Sequence, residues 1–355
     1  MSGLRRAPSF WWRARPSALA RLLQPVSALY GAITAWRMAR APKGRVDSPV
    51  ICVGNFVAGG TGKTPFALAL APLLIQNGWT PVFLLRGYGG RETGPLLVDP
   101  TRHGAPDVGD EALLLAESAP TVVARDRVAG ARLAETLGDI LLMDDGFQNP
   151  DLEKTLSLVL VDGETGIGNG LCVPAGPLRA PLARQMPFAG ALVAIGDGTA
   201  GAAVLARTDA QDVAAFHAAL VPFAADDLKG ARALVFAGIG RPEKVFRSAR
   251  EAGIEIVAAR GYPDHHRYHE SDAQTLLREA DAQGLTLVTT RKDHVRLAGA
   301  TTPALTELAA RARVLEVEMR LSEPEALATF LETAIRAISS TSNAKLLKSG
   351  TKFVD

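Results

Sequence analysis

The sequence has few of the residues that would place it in an oxidising compartment. Its 355 residues include two cysteines, Cys52 and Cys172, which are too few for a disulfide scaffold. Cys52 also lies within a short apolar run, so a reducing compartment is expected. Charged residues make up 21% of the chain and hydrophobic residues 47%, as in ordinary core-forming proteins. The length predicts two domains.

Acidic residues are missing from residues 1–45, which contain eight arginines and one lysine. The remaining 30 basic and 37 acidic residues give a net charge of −7, hidden within the overall charge of +2. Trp11, Trp12 and Trp36 also lie in this basic segment. Its uncharged run, residues 22–36, is shorter than the roughly 20 residues that span a bilayer. Tryptophans and arginines around an apolar middle are typical of a helix in the membrane interface.

Three interpretations of residues 1–45 stay open. A monotopic anchor on the cytoplasmic face is favoured over a short or tilted spanning helix, and over an amphipathic helix docked on the protein itself. A cleaved signal peptide is not expected, because basic residues continue on both sides of the apolar run. The apolar middle and the lack of lysine clusters also argue against a nucleic-acid-binding arm, so no nucleic acid partner is expected.

Beyond residue 45, short apolar runs alternate with helical patterns. This predicts an α/β fold with a mostly parallel sheet and helices on both faces. The glycine-rich loop at residues 58–64, after the first strand, makes the predicted sheet one of P-loop NTPase type. Strands are predicted at 50–53, 81–85, 121–124, 140–143, 156–161, 233–237, 254–258, 285–289 and 314–317, and helices at 64–77, 110–118, 126–137 and 242–252. The predicted units are a membrane-associating segment (1–45), a nucleotide-binding core (46–225), a smaller C-terminal α/β domain (226–338) and a flexible tail (339–355).

A glycine-rich loop between the first predicted strand and helix carries the clearest functional signal. Its predicted phosphate-binding residues are Ala58, Gly59, Gly60, Thr61, Gly62, Lys63 and Thr64. Backbone amides of such a loop, together with the positive end of the helix, suit the phosphates of ATP. Lys63 is predicted to reach the β and γ phosphates and Thr64 to ligate Mg²⁺. Val57 stands where the usual pattern begins with glycine, so the loop is closer to the variant of MinD-like ATPases.

Pairs of acidic residues stand at two places in the predicted core, one after a strand and one at the start of a helix. Asp144 and Asp145 follow the strand at 140–143, and one of them is predicted to hold Mg²⁺ as a Walker B aspartate does. Asp110 and Glu111 are a weaker signal, because a helix N-terminus with an acidic first turn explains them equally well. His265 belongs to a histidine cluster that no cysteine accompanies, which makes a zinc site a minor alternative.

Taken together, these segments resemble one family, the tetraacyldisaccharide 4'-kinases of lipid A synthesis. The resemblance covers roughly residues 20–320, and Asp-Asp-Gly-Phe-Gln at 144–148 is its most specific motif. The motifs are Gly54–Pro65, Arg86–Gly89, Gly109–Glu111, Asp144–Gln148, Gly168–Gly170, Pro174–Arg179, Pro263–His265 and Thr290–Asp293.

The resemblance implies transfer of the ATP γ-phosphate to the 4'-hydroxyl of tetraacyldisaccharide 1-phosphate, forming lipid IVA. It implies ATP and Mg²⁺ as cofactors, the lipid disaccharide 1-phosphate as substrate, and a place on the cytoplasmic face of the bacterial inner membrane. The N-terminal segment would contact the membrane surface, and no obligate protein partner is inferred.

The resemblance also implies individual roles. Asp110 would be the general base, helped by His265, and Lys63 and Arg179 would offer cations to phosphate oxygens. Glu111 would assist at Mg²⁺, beside Thr64, Asp144 and Asp145. Asn149 stands where the family usually has histidine, which puts any role of an imidazole there in question.

A MinD-like, membrane-associated regulatory ATPase is the alternative. The variant loop and the amphipathic segment fit it, whereas a second domain and an Asp110–His265 pair have no use in it. That pair is divided between the two predicted domains and would form fully on domain closure. A GTPase is not expected, because Thr290–Asp293 lacks the order Asn-Lys-x-Asp.

Overall fold

The computed structural model describes the backbone of residues 7–207, 213–223 and 226–349 and the side chains up to residue 337. Its twelve strands are β1 (Val50–Asn55), β2 (Pro81–Leu85), β3 (Leu96–Leu97), β4 (Thr121–Val123), β5 (Ile140–Asp144), β6 (Leu156–Asp162), β7 (Ala191–Ile195), β8 (Ala214–Phe223), β9 (Arg232–Ala237), β10 (Glu255–Gly261), β11 (Thr286–Thr290) and β12 (Arg313–Leu321). The α-helices are α1 (Ala18–Met38), α2 (Lys63–Gln76), α3 (Ala105–Val108), α4 (Asp110–Ala116), α5 (Arg127–Ala134), α6 (Leu182–Gln185), α7 (Thr199–Leu205), α8 (Pro242–Glu251), α9 (Glu270–Gln283), α10 (Arg291–Leu297), α11 (Pro303–Arg311) and α12 (Pro324–Ser349).

The strands form one sheet in the order β10-β9-β11-β12-β8-β7-β6-β1-β5-β2-β4-β3. Neighbours pair in parallel, except that β12 pairs antiparallel with β8 and β3 with β4. Alternate residues of β1 enter two different buried clusters, Ile51 and Val53 with α2, Val50 and Cys52 with α5. Helices therefore cover both faces, which confirms the predicted mostly parallel α/β sheet.

Each strand and helix predicted from the sequence is present, with ends that differ by a few residues. Strands β3, β7 and β8 and helices α3, α6, α7 and α9 to α12 are not among the predicted elements. Strand β8 lies in an alanine-rich stretch, and most of its residues are half-buried or exposed, so it lacks a continuous apolar run. Strand β7 has such a run and is buried at every residue.

Strand β12 connects the two predicted domains. Residues 313–315 pair with β11, whereas residues 316–321 pair with β8 of the predicted core. Helix α12 then places Leu327, Leu331 and Ile335, spaced one turn apart, into the same buried cluster as α2. Residues 316–335 therefore pack against the nucleotide-binding half, and the division near residue 225 remains a prediction.

The predicted tail at residues 339–355 begins within a helix of the structure. Helix α12 runs through residue 338 and continues to Ser349, so the boundary at 338 falls inside a helix. Residues 350–355, like residues 1–6 of the predicted N-terminal segment, lie outside the described residues.

Helix α1 has one face on the protein and one face exposed. Ser27 and Gly31 face the body of the protein: the Ser27 hydroxyl donates to the Cys172 carbonyl at 2.6 Å, and a Cβ at Gly31 would lie 2.9 Å from the Cys172 sulfur. The exposed apolar side chains of this helix recur every three or four residues and are Leu19, Leu22, Val26, Leu29, Tyr30, Ile33 and Trp36. No helix in the described part of the chain is both long and apolar enough to cross a bilayer.

Candidate active site

The phosphate loop connects β1 to α2. Gly59 and Gly62 have positive φ angles, 127° and 83°, and a Cβ at Gly59 or Gly60 would meet no atom within 4 Å. Within the described residues, the backbone amides of residues 59–62 donate no hydrogen bond to another backbone group. The N-terminus of α2 adds partial positive charge. The loop thus presents free donors to an anion.

Two members of the predicted loop have structural contacts of their own. The amide of Ala58 donates to the Pro177 carbonyl at 2.7 Å, so it holds the loop in place and is not free for a phosphate. The Thr61 hydroxyl accepts from Asn55 Nδ2 at 3.1 Å, which fixes the loop to the end of β1. The place of Ala58 among the nucleotide-binding residues remains a prediction, and its amide is not the group that would contact a phosphate.

Thr64 and Asp144 meet at the carboxyl end of β5. Thr64 Oγ1 donates to Asp144 Oδ2 at 3.3 Å. Asp144 Oδ1 is buried and has no hydrogen-bond partner among the described residues. Burial, and after it the charge of Glu111, raise the pKa of Asp144 to about 7. A hydroxyl beside a buried carboxylate with an unmatched oxygen fits a hard cation such as Mg²⁺, which prefers oxygen ligands.

Asp145 brings two cations together. Its Oδ1 lies 3.7 Å from Lys63 Nζ and 3.1 Å from Arg179 Nη1, and its Oδ2 accepts from Arg179 Nη2 at 3.2 Å. Although burial raises the pKa of Asp145, Lys63 and Arg179 outweigh that effect and lower it to about 2. Asp145 is therefore the anchor of Lys63 and Arg179, which leaves Asp144 better placed for a metal.

Arg179 is fastened to the phosphate loop itself. Its amide donates to the Phe56 carbonyl at 2.9 Å, and its Nε donates to the Val57 carbonyl at 3.0 Å. Gln148, from the motif at 144–148, accepts from Arg179 Nη1 at 3.3 Å. The guanidinium is thus held beside the loop by backbone and side-chain contacts.

Asp110 and His265 lie in contact although 155 positions separate them. Asp110 begins α4 and is 4% exposed, and its Oδ2 lies 3.2 Å from His265 Nδ1. The ring of Tyr88 lies 5.1 Å from the His265 ring. Burial raises the pKa of Asp110, but the hydrogen bond with His265 and the charges of Lys292 and Arg296 outweigh burial and hold that pKa well below its usual range. The divided pair is therefore already formed in this structure.

Two cations of α10 complete this cluster. Lys292 Nζ lies 2.9 Å from Glu111 Oε1 and 4.0 Å from Asp110 Oδ2. Arg296 Nε donates to Asp110 Oδ2 at 2.6 Å. Lys292 lies in a motif of the resemblance but has no role there, and no sequence signal indicates Arg296. Both side chains contact carboxylates that are distant in sequence, so only the folded structure shows that they belong to the site.

A cavity of about 920 Å³ opens between the phosphate loop and the N-terminal segment. Residues 57–61, Tyr88 and His265 line one side, and Phe10 and Trp12 line another. Trp11, beside Trp12, donates from Nε1 to the Pro174 carbonyl at 2.9 Å. The N-terminal tryptophans, which the sequence places in a membrane segment, thus also form a wall of the candidate site.

The remaining polar residues of interest have local structural roles. The Asn149 side chain accepts from the amide of Asp151 at 2.8 Å, within the turn after the motif at 144–148. His266 Nε2 lies 2.9 Å from Asp272 Oδ2, and the His266 ring stacks on Tyr262. Among the described residues, no group of three or more His, Cys, Asp or Glu side chains is arranged to hold a metal. The minor zinc alternative therefore has no structural support.

Comparisons with known proteins find relatives of one family. A family model described as tetraacyldisaccharide-1-P 4'-kinase matches residues 19–336. A tetraacyldisaccharide 4'-kinase of Methylorubrum extorquens is 55% identical over 293 residues, which is 82% of this chain and 89% of that protein. One from Methylobacterium radiotolerans is 51% identical over 333 residues, 94% of this chain and 99% of that protein. The crystal structure of LpxK from Aquifex aeolicus, in complex with ATP, aligns with a TM-score of 0.68 and 25% identity, covering 89% of this chain and 99% of that one.

Proposed function

The chain belongs to the tetraacyldisaccharide-1-phosphate 4'-kinase family, and from that premise we propose how its residues divide the work of the reaction. The enzyme transfers phosphate from ATP to the 4'-hydroxyl of a tetraacyldisaccharide 1-phosphate, a step of lipid A biosynthesis. The MinD-like alternative has no support in the comparisons. One observation carries the proposal: the phosphate loop and His265, which contacts Asp110, line the same cavity.

Residues around the phosphate loop bind the triphosphate. The amides of residues 59–62 and the ammonium of Lys63 hold the β and γ phosphates, and Arg179 neutralises charge beside them. Thr64 and Asp144 would hold Mg²⁺, with Glu111 nearby, and the ion supplies further neutralisation of phosphate charge when bound. Because phosphoryl transfer asks for little covalent work, this positioning and neutralisation supply most of the catalysis.

Asp110 accepts the proton of the acceptor hydroxyl. A carboxylate with a low pKa is a weak base, so the proton moves as the bond to phosphorus forms and the hydroxyl becomes acidic. His265 holds Asp110 Oδ2 by its hydrogen bond and supports the carboxylate as it takes the proton. The Glu111 amide donates to the other oxygen, Oδ1, at 2.9 Å and fixes the plane of the carboxylate.

The lipid acceptor approaches from the membrane side of the cavity. Phe10, Trp12 and Leu19 line the cavity, and Leu19 also begins the exposed apolar face of α1. That face lies in the lipid surface, with Arg21 and Arg37 near its ends, in the manner of an interfacial helix. The disaccharide headgroup enters the cavity while its acyl chains stay in the bilayer.

The test of this function is incubation of the purified enzyme with γ-labelled ATP and the lipid disaccharide 1-phosphate. We expect the label in the lipid, and a mass increase of one phosphate at the 4'-position. Label in inorganic phosphate alone would favour a regulatory ATPase and contradict the proposal.

Replacing His265 by alanine is expected to lower kcat by about 10- to 100-fold. This range follows because a hydrogen bond to a charged group contributes about 1.5–3 kcal/mol, and 1.36 kcal/mol corresponds to tenfold in rate. Steady-state rates of lipid phosphorylation measure the effect. His103→Ala is the control, because His103 contacts the amide of Asp99 away from the site. A loss as large as that of Asp110→Asn would make His265 the base itself.

Charges placed on the exposed face of α1 are expected to weaken membrane binding. The double variant Leu22→Glu with Leu29→Glu should reduce partitioning onto anionic vesicles by about 100-fold, since both side chains would lose burial in lipid. Vesicle co-sedimentation measures this. Ile75→Glu with Leu97→Glu is the control, because these side chains are also exposed but lie on other elements. Equal loss in both pairs would contradict the assignment of α1 as the membrane surface.

A further inference from the structure

We infer that Arg296 is a positioning residue for phosphoryl transfer, which fixes the Asp110 carboxylate and the backbone of His265 in one arrangement. The inference rests on the proposed function, because Asp110 and His265 have their catalytic roles there. Arg296 lies on α10, in the part of the chain predicted as the second domain, whereas Asp110 begins α4 of the nucleotide-binding half.

The first contact of Arg296 is with Asp110. Its Nε donates to Asp110 Oδ2 at 2.6 Å, and its Nη2 lies against the same oxygen without an aligned hydrogen bond. The two side chains are 6% and 4% exposed, so water screens this pair weakly. A charge-assisted hydrogen bond in such surroundings is strong and directional, so Arg296 sets where Oδ2 stands. His265 Nδ1 contacts this same oxygen.

The second contact of Arg296 is with the turn that carries His265. Its Nη1 donates to the Gly238 carbonyl at 2.6 Å, and that carbonyl also accepts from the His265 amide at 3.1 Å. The guanidinium therefore holds the acceptor of the His265 backbone as well as the carboxylate that the His265 ring contacts. One side chain thus fixes both members of the pair.

Arg296 is itself held by a buried carboxylate. Its Nη1 also donates to Asp293 Oδ1 at 2.8 Å, and Asp293 is fully buried. Asp293 accepts in addition from Tyr268 at 3.0 Å, from the Gly238 amide at 3.0 Å and from the Thr290 hydroxyl at 2.7 Å. The guanidinium has little freedom to turn, which is what a positioning role requires.

Arg291 serves as a comparison residue, because it distinguishes a positioning role of Arg296 from simple attachment of α10 to the nucleotide-binding half. Arg291, on the same helix, also reaches the residue just after α4, and β12: it pairs with Glu117 at 2.5 Å and with Glu316 at 2.7 Å. Its side chain is 49% exposed and neither partner is a residue of the site. If Arg296 served attachment alone, loss of either arginine would have similar consequences for the reaction.

The test compares Arg296→Met with Arg291→Met in lipid phosphorylation. We expect Arg296→Met to lower kcat by about 100-fold, as a misplaced catalytic group does, with the KM values for ATP and lipid changed by less than about threefold. Arg291→Met should keep the kcat of the unmodified enzyme. Arg296→Lys keeps the charge but lacks the planar fork, so it should recover less than about a tenth of the activity. Equal losses in the two methionine variants would overturn the inference.

Two further measurements exclude a general loss of structure. In a cycle with Asp110→Asn, the double variant should be no slower than Asp110→Asn alone, because Arg296 acts through that carboxylate. Added guanidinium at millimolar concentration should restore part of the kcat of Arg296→Met, and leave Arg291→Met unchanged. Fully additive losses, or no rescue in a variant that melts at the normal temperature, would overturn the inference. An unmodified enzyme that labels no lipid would instead refute the proposed function.

Discussion

Replacing Lys63 by alanine is expected to lower kcat for lipid phosphorylation by at least about 1,000-fold, the upper end of what one preorganised charge contributes. Lys63 begins α2, its side chain is 12% exposed, and its ammonium lies 3.7 Å from Asp145. This places the charge at the loop, where it would neutralise the negative charge on the oxygens of the transferring γ-phosphate. The rate is measured as the 4'-phosphorylated lipid formed at saturating ATP.

Lys43→Ala is the matched control for this variant. Lys43 is also a lysine paired with an aspartate, at 2.9 Å from Asp151, but its side chain is 72% exposed. Its replacement should leave kcat within about twofold, since an exposed ion pair contributes little. Retention of more than a tenth of the activity in Lys63→Ala would contradict the role given to this ammonium.

Replacing Asp110 by asparagine is expected to lower kcat by about 100- to 10,000-fold, the usual contribution of a general base. Asparagine keeps the size of the side chain and removes the group that accepts the hydroxyl proton. ATP affinity should change little, because Asp110 contacts His265, Lys292 and Arg296 but is not part of the phosphate loop. Titration with a fluorescent ATP analogue, beside steady-state kinetics, separates the two effects.

The control for Asp110 is Glu117→Gln, which removes a carboxylate just after the same helix. Glu117 is 44% exposed and pairs with Arg291, away from the cavity. Its loss should alter neither kcat nor ATP affinity. If Asp110→Asn weakens ATP binding as much as it lowers kcat, Asp110 has a structural role and the base lies elsewhere.

The residues expected to bind phosphate and Mg²⁺ could be predicted because they are close in sequence to strand ends. Gly59 to Thr64 follow β1, Asp144 ends β5 and Asp145 follows it, and β5 pairs directly with β1. Carboxyl ends of neighbouring parallel strands lie at the same edge of a sheet, so sequence order alone brings these groups together. The contact between Thr64 and Asp144 is the outcome.

The residues proposed to act on the acceptor hydroxyl depend on contacts that sequence spacing does not encode. Arg296 and Asp110 are 186 residues apart, and their contact arises from the packing of α10 against α4. The family resemblance supplied Asp110 and His265, but no local pattern distinguishes Arg296 from a surface arginine of a short helix. The place of Trp12 in the cavity wall could not be predicted either, because a tryptophan in a basic segment with an apolar middle indicates membrane contact and not a wall of the site.

The packing across the predicted domain boundaries could not be predicted from the sequence for a similar reason. Sequence alternation indicates where strands lie, but it does not indicate that β12 continues from β11 to β8. Leu327, Leu331 and Ile335 of α12 lie in the same buried cluster as α2, and sequence spacing does not indicate that this part of the chain buries them.

The most direct measurement is a crystal structure with a non-hydrolysable ATP analogue and Mg²⁺. We expect the β and γ phosphates against the amides of residues 59–62, the Lys63 ammonium on the γ-phosphate, the ion on Thr64 and Asp144, and Asp110 facing the γ-phosphate across the cavity. A nucleotide bound elsewhere, or a γ-phosphate pointing away from the cavity that His265 lines, would contradict the account.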